Sequence, residues 1–194
     1  MLMHPEAPAI VLGSAQPEEH VDQDAARAEG VEVARRRSGG GAVLVTEATV
    51  LWVDVVLPAG DELWEPDVGK AGWWLGAAWA AALDSLNVPG DISVWKQKLR
   101  SNDWSSRVCF AGVGPGEVLI DGKKAVGISQ RRTRSAALFQ TALLLEWHPD
   151  DLVRLLALDP DTRRRAEADL MSSATPVLRR PAELLEAFLT ALPA

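Results

Sequence analysis

From Val50 to Leu57 the chain alternates, with Leu51, Val53, Val55 and Leu57 on one face and Trp52 and Asp54 on the other. Period two of this kind predicts a half-buried β-strand. Pro58-Ala59-Gly60 closes it. Between Asp67 and Leu86 the period lengthens, and Leu75, Trp79, Leu83 and Leu86 make one helical stripe that Asn87-Val88-Pro89-Gly90 brings to an end. Upstream, Ala9 to Leu12 reads as a short strand ending at Gly13, and Glu18 to Glu29 as a polar helix or loop. Val31 to Arg36 and Ala42 to Thr46 read as strands on either side of a glycine cluster. Downstream, Ile92 to Trp95, Arg107 to Ala111, Glu117 to Ile120 and Ala125 to Gln130 are short strand candidates, and Ala136 to Trp147 is apolar enough for a buried strand. His148-Pro149-Asp150-Asp151 has the proline and acids of a helix start. Arg154 to Leu158, Pro160 to Ser172 and Pro181 to Leu192 complete a helical C-terminal part, the last with Leu184, Leu185, Phe188, Leu189 and Leu192 on a core face. The order is a meander rather than regular βαβ alternation, which predicts an α+β fold with a mixed, mostly antiparallel sheet flanked by helices.

Composition narrows the partners. With 194 residues, 47% hydrophobic and 24% charged, the expectation is one domain over residues 1–194 with a sizeable core. A formal charge of −7 argues against nucleic acid. The single cysteine, Cys109, rules out an intrachain disulfide and a cysteine-based zinc site, and fits a reducing cytoplasm. His4, His20 and His148 are scattered without metal-ligand spacing, so no metal site is expected. No stretch reaches the roughly 18 apolar residues of a membrane span, and the first residues lack the pattern of an export signal. Eight tryptophans stand against no tyrosine, and Trp52, Trp64, Trp73, Trp74 and Trp79 crowd together, either as the wall of an apolar ligand tunnel or as ordinary core.

Two segments carry candidate chemistry. In Arg35-Arg36-Arg37-Ser38-Gly39-Gly40-Gly41-Ala42-Val43, basic side chains run into a glycine turn between apolar runs. Backbone N–H groups in such a turn can converge on an anion, and the arginines add charge; the same residues also suit a solvated loop. In Gly122-Lys123-Lys124-Ala125-Val126-Gly127-Ile128-Ser129-Gln130, Lys124 opens a strand, placing its ammonium where it can meet a phosphate or carbonyl oxygen, with Gly127 leaving room for a ligand near the backbone. The alternative there is a hairpin tip with surface lysines. Gly112-Val113-Gly114-Pro115-Gly116 leads into a strand instead of a helix, so it is no dinucleotide fingerprint.

Together these segments resemble the lipoate-protein ligase and octanoyltransferase family, relatives of biotin-protein ligases. The glycine element is similar to Arg-Arg-x-Ser-Gly-Gly-Gly-Ala-Val, and Gly122 to Gln130 to Gly-x-Lys-x-x-Gly-Ser-Ala-Gln, with Ile128-Ser129 in place of Ser-Ala. Cys109-Phe110 and Glu117-Val118 resemble Cys-Phe and Glu-Val elements between them. The resemblance spans roughly Ala9 to Leu158 and implies a catalytic domain of the class II aminoacyl-tRNA synthetase/biotin ligase type. It implies that Arg36, Ser38, Gly39, Gly40, Gly41 and Gly127 bind the acyl group or acyl-adenylate, and that Lys124 is catalytic. It further implies ATP and Mg²⁺ as cofactors, lipoate as substrate, and a lysine on a lipoyl carrier domain, of a 2-oxoacid dehydrogenase complex or the glycine cleavage H protein, as acceptor. In the transferase branch, Cys109 would instead take an octanoyl group from acyl carrier protein as a thioester, without ATP, and a third reading is a non-catalytic binder of lipoate-like acids. Where many members have His-Asp after the glycine element this chain has Val45-Thr46. The N-terminal strand and helix are expected to be shortened against the family pattern, and no accessory C-terminal domain is expected.

Overall fold

A computed structural model describes residues 1–3 and 5–193; His4 and Ala194 lie outside the described residues. Among the described residues there are nine strands: β1 (Leu2–Met3), β2 (Ala9–Leu12), β3 (Glu32–Arg35), β4 (Val43–Val45), β5 (Val50–Pro58), β6 (Ile92–Val94), β7 (Val118–Ile120), β8 (Lys123–Arg132) and β9 (Ala136–Leu144). The α-helices are α1 (Gln23–Ala28), α2 (Trp73–Ser85), α3 (Pro149–Arg154), α4 (Pro160–Leu170) and α5 (Pro181–Ala191). Six strands form an antiparallel sheet in the order β1-β5-β9-β8-β7-β6. The other three form a small mixed sheet, β3-β2-β4, in which β2 pairs parallel with β3 and antiparallel with β4. This is the expected α+β architecture, mostly antiparallel.

One face of the large sheet, carrying Leu51, Val53, Phe139 and Leu143, is covered by α2 and α5. Trp79 of α2 stacks on Phe188 of α5 with ring centroids 4.0 Å apart, and Trp74 meets Phe139 edge-on. These two aromatic pairs at preferred geometries give two of the eight tryptophans a packing role. The small sheet packs instead on α1, α3 and α4 through Ile10, Leu12, Ala26, Leu152 and Leu156. Where the two sheets meet, Val43 and Val45 pack against Val50, Trp52, Phe110, Ala142 and Leu144. β5 is therefore buried on both faces over its first half, although its alternation alone predicts burial on one. Of the tryptophan cluster, Trp52 lines a cavity, Trp64 lies under the Arg132 guanidinium and Trp73 under the Lys96 ammonium, and Trp74 and Trp79 serve the core.

Four local expectations change. Helix α2 begins at Trp73, not Asp67. The Asp67 carboxylate accepts from the Gly69 N–H at 2.8 Å and its carbonyl from Lys70 and Ala71, so 67–71 closes into turns; short polar side chains offer the backbone this alternative, and Gly69 and Gly72 weaken the helix there. Arg107 to Ala111 is not a strand: Val108 makes one bridge to Ala42 and Cys109–Ala111 is a 3₁₀ turn. The carbonyls of Cys109 and Gly112 point at a buried ammonium, which takes them out of any ladder. The helix at Pro149 stops at Arg154, and Leu156 bridges to Val21. On α5, Leu184 and Phe188 are buried while Leu189 is exposed.

Helix α2 approaches the loop before β7 closely enough that a Cβ on Gly76 would lie 2.0 Å from the Gly116 carbonyl oxygen. Gly76→Ala, which would stabilise an isolated helix, is expected here to destabilise the protein by about 3 kcal/mol through backbone overpacking. Urea midpoints of the two proteins check this.

Candidate functional site

Both candidate segments lie at the meeting of the two sheets. The glycine turn does not join paired strands: β3 and β4 flank β2, so residues 36–42 arch over the end of β2. Arg36, nearly buried, donates from Nη1 to the Val11 carbonyl at 3.1 Å and from Nη2 to those of Gly39 (2.7 Å) and Gly41 (2.9 Å). Because a trans peptide directs its C=O and N–H oppositely, drawing the Gly39 carbonyl to Arg36 turns the Gly40 N–H the other way. Among the described residues none accepts from the N–H groups of Gly39, Gly40 or Gly41. Arg36 thus builds the turn with its own donors, and the free donors belong to the glycines. Arg35 bends back to the carbonyls of Gly13 and Gln16 and pairs with Glu18, while Arg37 is exposed.

Glycine is required where the arch is tightest. Gly40 has φ +105°, a region that L side chains avoid, and a Cβ on Gly41 would come within 2.6 Å of the Val108 nitrogen. A Cβ on Gly13, at the end of β2, would sit 1.9 Å from the Gly40 carbonyl oxygen. Both sides of that clash are backbone, so no rotamer relieves it. Gly13→Ala is expected to push the turn off β2 and to cost about 1–3 kcal/mol. Gly39→Ala is its control for stability, since a Cβ there meets nothing within 4 Å. Melting temperatures that ranked the two the other way would overturn this account of the arch.

Lys124, at the start of β8, is 2% exposed. Its ammonium pairs with Glu117 Oε1 at 2.7 Å and donates to the carbonyls of Cys109 (2.8 Å) and Gly112 (3.2 Å). Those three acceptors match its three protons. Burial works against the charge, yet the Cys109 sulfur and the Glu117 carboxylate outweigh it and hold the pKa above the ordinary lysine value. A raised lysine pKa means the ion pair's stabilisation is complete below the unfolded value and fades only as pH rises through the folded one, so Lys124 is charged at neutral pH. Glu117 is fixed in turn by the N–H groups of Gly114 (2.6 Å) and Ile128 (3.1 Å).

Cys109 is partly exposed, its Sγ 3.9 Å from Lys124 Nζ. Its N–H donates to the Ala42 carbonyl, tying the 3₁₀ turn to the end of the glycine arch. The structure therefore brings Cys109, Lys124, Gly40 and Arg36 together. Gly127 joins them differently from expectation: the room above it holds the Lys124 stem, 3.2 Å from where a Cβ would be, and the Phe110 ring at 3.6 Å. Its missing side chain makes space for the lysine, not for a ligand beside the backbone.

Ser38, 1% exposed, bonds to Gln140 Oε1 (2.8 Å) and to Ser129 Oγ (2.7 Å). Gln140 reaches on to Asp54, which also accepts from the Trp52 indole at 2.7 Å. Gln140, Trp52, Arg36 and Val45 line a cavity of about 390 Å³ with Val11 and the segment around Pro5. Gln140 and Asp54 were not singled out as site residues by the sequence. The available signal was a polar residue inside the apolar run 136–147 and a carboxylate on a strand buried on both faces.

Over residues 1–182 the chain matches the lipoyl protein ligase A/B catalytic domain. It belongs to this family. Among curated proteins, it is 28% identical over 159 residues to the octanoyltransferase LipM of Exiguobacterium sp., covering 79% of this chain and 56% of that one. It is 29% identical over 163 residues to the LipM of Moorella thermoacetica, covering 81% and 57%. The chain thus spans little more than half the length of these relatives. Among solved structures, the bipartite lipoate protein ligase of Thermoplasma acidophilum, described with its E2 lipoyl domain, superposes with a TM-score of 0.73 at 21% identity, over 95% of this chain and 66% of that one. A lipoate-protein ligase A bound with ATP superposes with a TM-score of 0.67 at 22% identity, over 95% and 67%. The fold of this lipoyl ligase family member is therefore that of lipoate ligases. No helix among the described residues is long and apolar enough to cross a membrane.

Proposed function

We propose that the protein is an acyltransferase that carries an octanoyl or lipoyl group on Cys109 as a thioester and delivers it to a lysine of a lipoyl carrier domain. The observation that carries this reading is the partly exposed Cys109 thiol 3.9 Å from the Lys124 ammonium, beside glycine N–H groups without a described acceptor. That placement offers the Cys109 sulfur as nucleophile to an incoming acyl carbonyl, with a cation and free N–H donors at hand for the oxygen. In the first half-reaction the sulfur attacks the thioester carbonyl of an acyl carrier protein, and the carrier's sulfur leaves and takes a proton. In the second, the neutral acceptor amine attacks the Cys109 thioester, the C–N bond forms as the C–S bond breaks, and the proton lost by the nitrogen passes to the released Cys109 sulfur or to water. Each step develops an oxyanion that the glycine donors and Lys124 stabilise, a substrate oxygen replacing the Gly112 carbonyl, the longest of the lysine's three bonds. The curated relatives named as octanoyltransferases support this route, and the Thermoplasma ligase with its E2 lipoyl domain supports such a domain as acceptor. The reducing cytoplasm is the compartment that keeps the thiol free.

The adenylate route is the second reading, favoured by the same free N–H groups, which suit an α-phosphate as well as a carbonyl. A nucleotide would lie against Gly39 to Gly41 with Lys124 near its phosphate. Among the described residues no group of three or more His, Cys, Asp or Glu side chains is placed to hold a metal, so Mg²⁺ would depend mainly on nucleotide oxygens.

Intact mass of an apo lipoyl domain incubated with the protein and octanoyl-acyl carrier protein, without ATP, tests the proposal. An octanoyl gain on the domain, with a hydroxylamine-labile acyl adduct on the protein, is expected. A gain seen only with free acid and ATP would overturn it in favour of the ligase.

A further inference from the structure

The polar chain beneath the glycine turn has a fixed donor–acceptor direction. Asp54, on β5, faces Gln140, on β9, in register across the sheet. A carboxylate only accepts, so the Gln140 side that lies 3.3 Å from both Asp54 oxygens must be its NH₂ group. That fixes Oε1 toward Ser38, where it takes the hydroxyl at 2.8 Å and the backbone N–H at 3.4 Å. Having donated to Gln140, the Ser38 hydroxyl receives from Ser129 at 2.7 Å. The Trp52 indole, giving its N–H to Asp54, holds the carboxylate at the other end. Ser38 opens the glycine arch, and its carbonyl accepts from Ser14. An amide turned the other way would meet the Ser38 donors with its own and release them.

We infer that Gln140 is a positioning residue for acyl transfer, its amide locked by Asp54 in the one orientation that holds Ser38 and the glycine turn in place beside Cys109. The inference rests on the transfer reading above. It makes a donor–acceptor prediction that mere packing does not. In Gln140→Glu, a second carboxylate faces Asp54 at about the same separation, and two buried carboxylates that close cannot both ionise. With one shared proton, the introduced carboxyl mimics the amide; without it, the pair repels and the turn is released. The charged groups facing the pair are Arg36, Glu32 and Glu6 on the cavity wall and the Met1 ammonium on the Asp54 carbonyl. In the double variant Asp54→Asn/Gln140→Glu the complement returns. The amide introduced on β5 accepts from Trp52 and donates to the carboxylate introduced on β9, whose other oxygen receives the Ser38 hydroxyl.

The test measures transfer relative to wild type at each pH, together with hydrogen exchange of the Ser14 and Ser38 amides. Gln140→Glu is expected to lose about 10²-fold at pH 8, the scale of a misplaced catalytic group, and to recover as pH falls. The double variant is expected to stay within about threefold of wild type with no added pH dependence, because its donor–acceptor pairing is intact. Exchange at Ser14 and Ser38 should be faster in the single variant at pH 8 and restored in the double. A single variant equal to wild type at every pH, or a double variant no better than the single, overturns the inference. If the wild type transfers nothing, the transfer reading falls by itself. The exchange measurement, which needs no acyl donor, then decides whether Gln140 holds the turn.

Discussion

Cys109→Ser is expected to cut octanoyl transfer by about 10³-fold or more, the scale on which enzymes lose rate when a nucleophile is removed. A serine hydroxyl at this place stays protonated near neutral pH, and Lys124, already bonded to three oxygens, offers it no base. Any acyl-enzyme that did form would be an oxygen ester, which a lysine amine attacks more slowly than a thioester. Stability should change by no more than about 1 kcal/mol, because the side chain is partly exposed and the substitution nearly isosteric. Single-turnover transfer followed by intact mass is the measurement. Transfer at the wild-type rate would remove the thioester from the mechanism and leave the adenylate route, which requires no thiol.

Lys124→Ala is expected to act twice. Loss of a preorganised donor to the developing oxyanion should lower transfer by about 10²- to 10³-fold. Removing one member of a buried ion pair should also destabilise the fold by about 3–5 kcal/mol, since Glu117 stays behind without its counter-ion. The two effects separate in Lys124→Ala/Glu117→Gln. There the carboxylate is gone and the amide oxygen still accepts from Gly114 or Ile128, so urea stability should recover in part while transfer does not. Recovery of both would mean that the lysine acts only by holding the loop at 112–117 together.

Much of the fold was legible because it rests on periodicity. The alternation at Val50 to Leu57 and the stripe on α2 each buried the face they predicted, and the run at 136–147 gave a strand that ends at Leu144 and is buried throughout only in its second half. What was not legible came from contacts between distant segments. No local pattern says that the carbonyls of Cys109 and Gly112 will be drawn to Lys124 and fold a strand candidate into a 3₁₀ turn. Nor does any pattern at Arg36 tell a ligand-binding arginine from one bonded to the carbonyls of its own turn. The motifs pointed to the candidate site, and the resemblance pointed to the lipoyl ligase family that the chain belongs to. Of the partners that hold it, Gln140 and Asp54 are set by sheet register, which the sequence does not state, and Glu117 showed only as part of a Glu-Val element without its tie to Lys124.

The arch over β2 has a consequence for how this chain tolerates change. Surface connections usually accept added or missing residues at small cost. Here the two ends of segment 36–42 are pinned on opposite sides of one strand, Arg35 opposite Leu12 and Val43 opposite Val11, with Gly13 directly beneath the span. A single inserted or deleted residue cannot be absorbed by looping outward without breaking one of those registers. Among homologues, length variation should therefore be absent from this segment and gather in exposed connections such as 97–99, and a circularly permuted or loop-grafted version of the protein would have to leave 36–42 uncut.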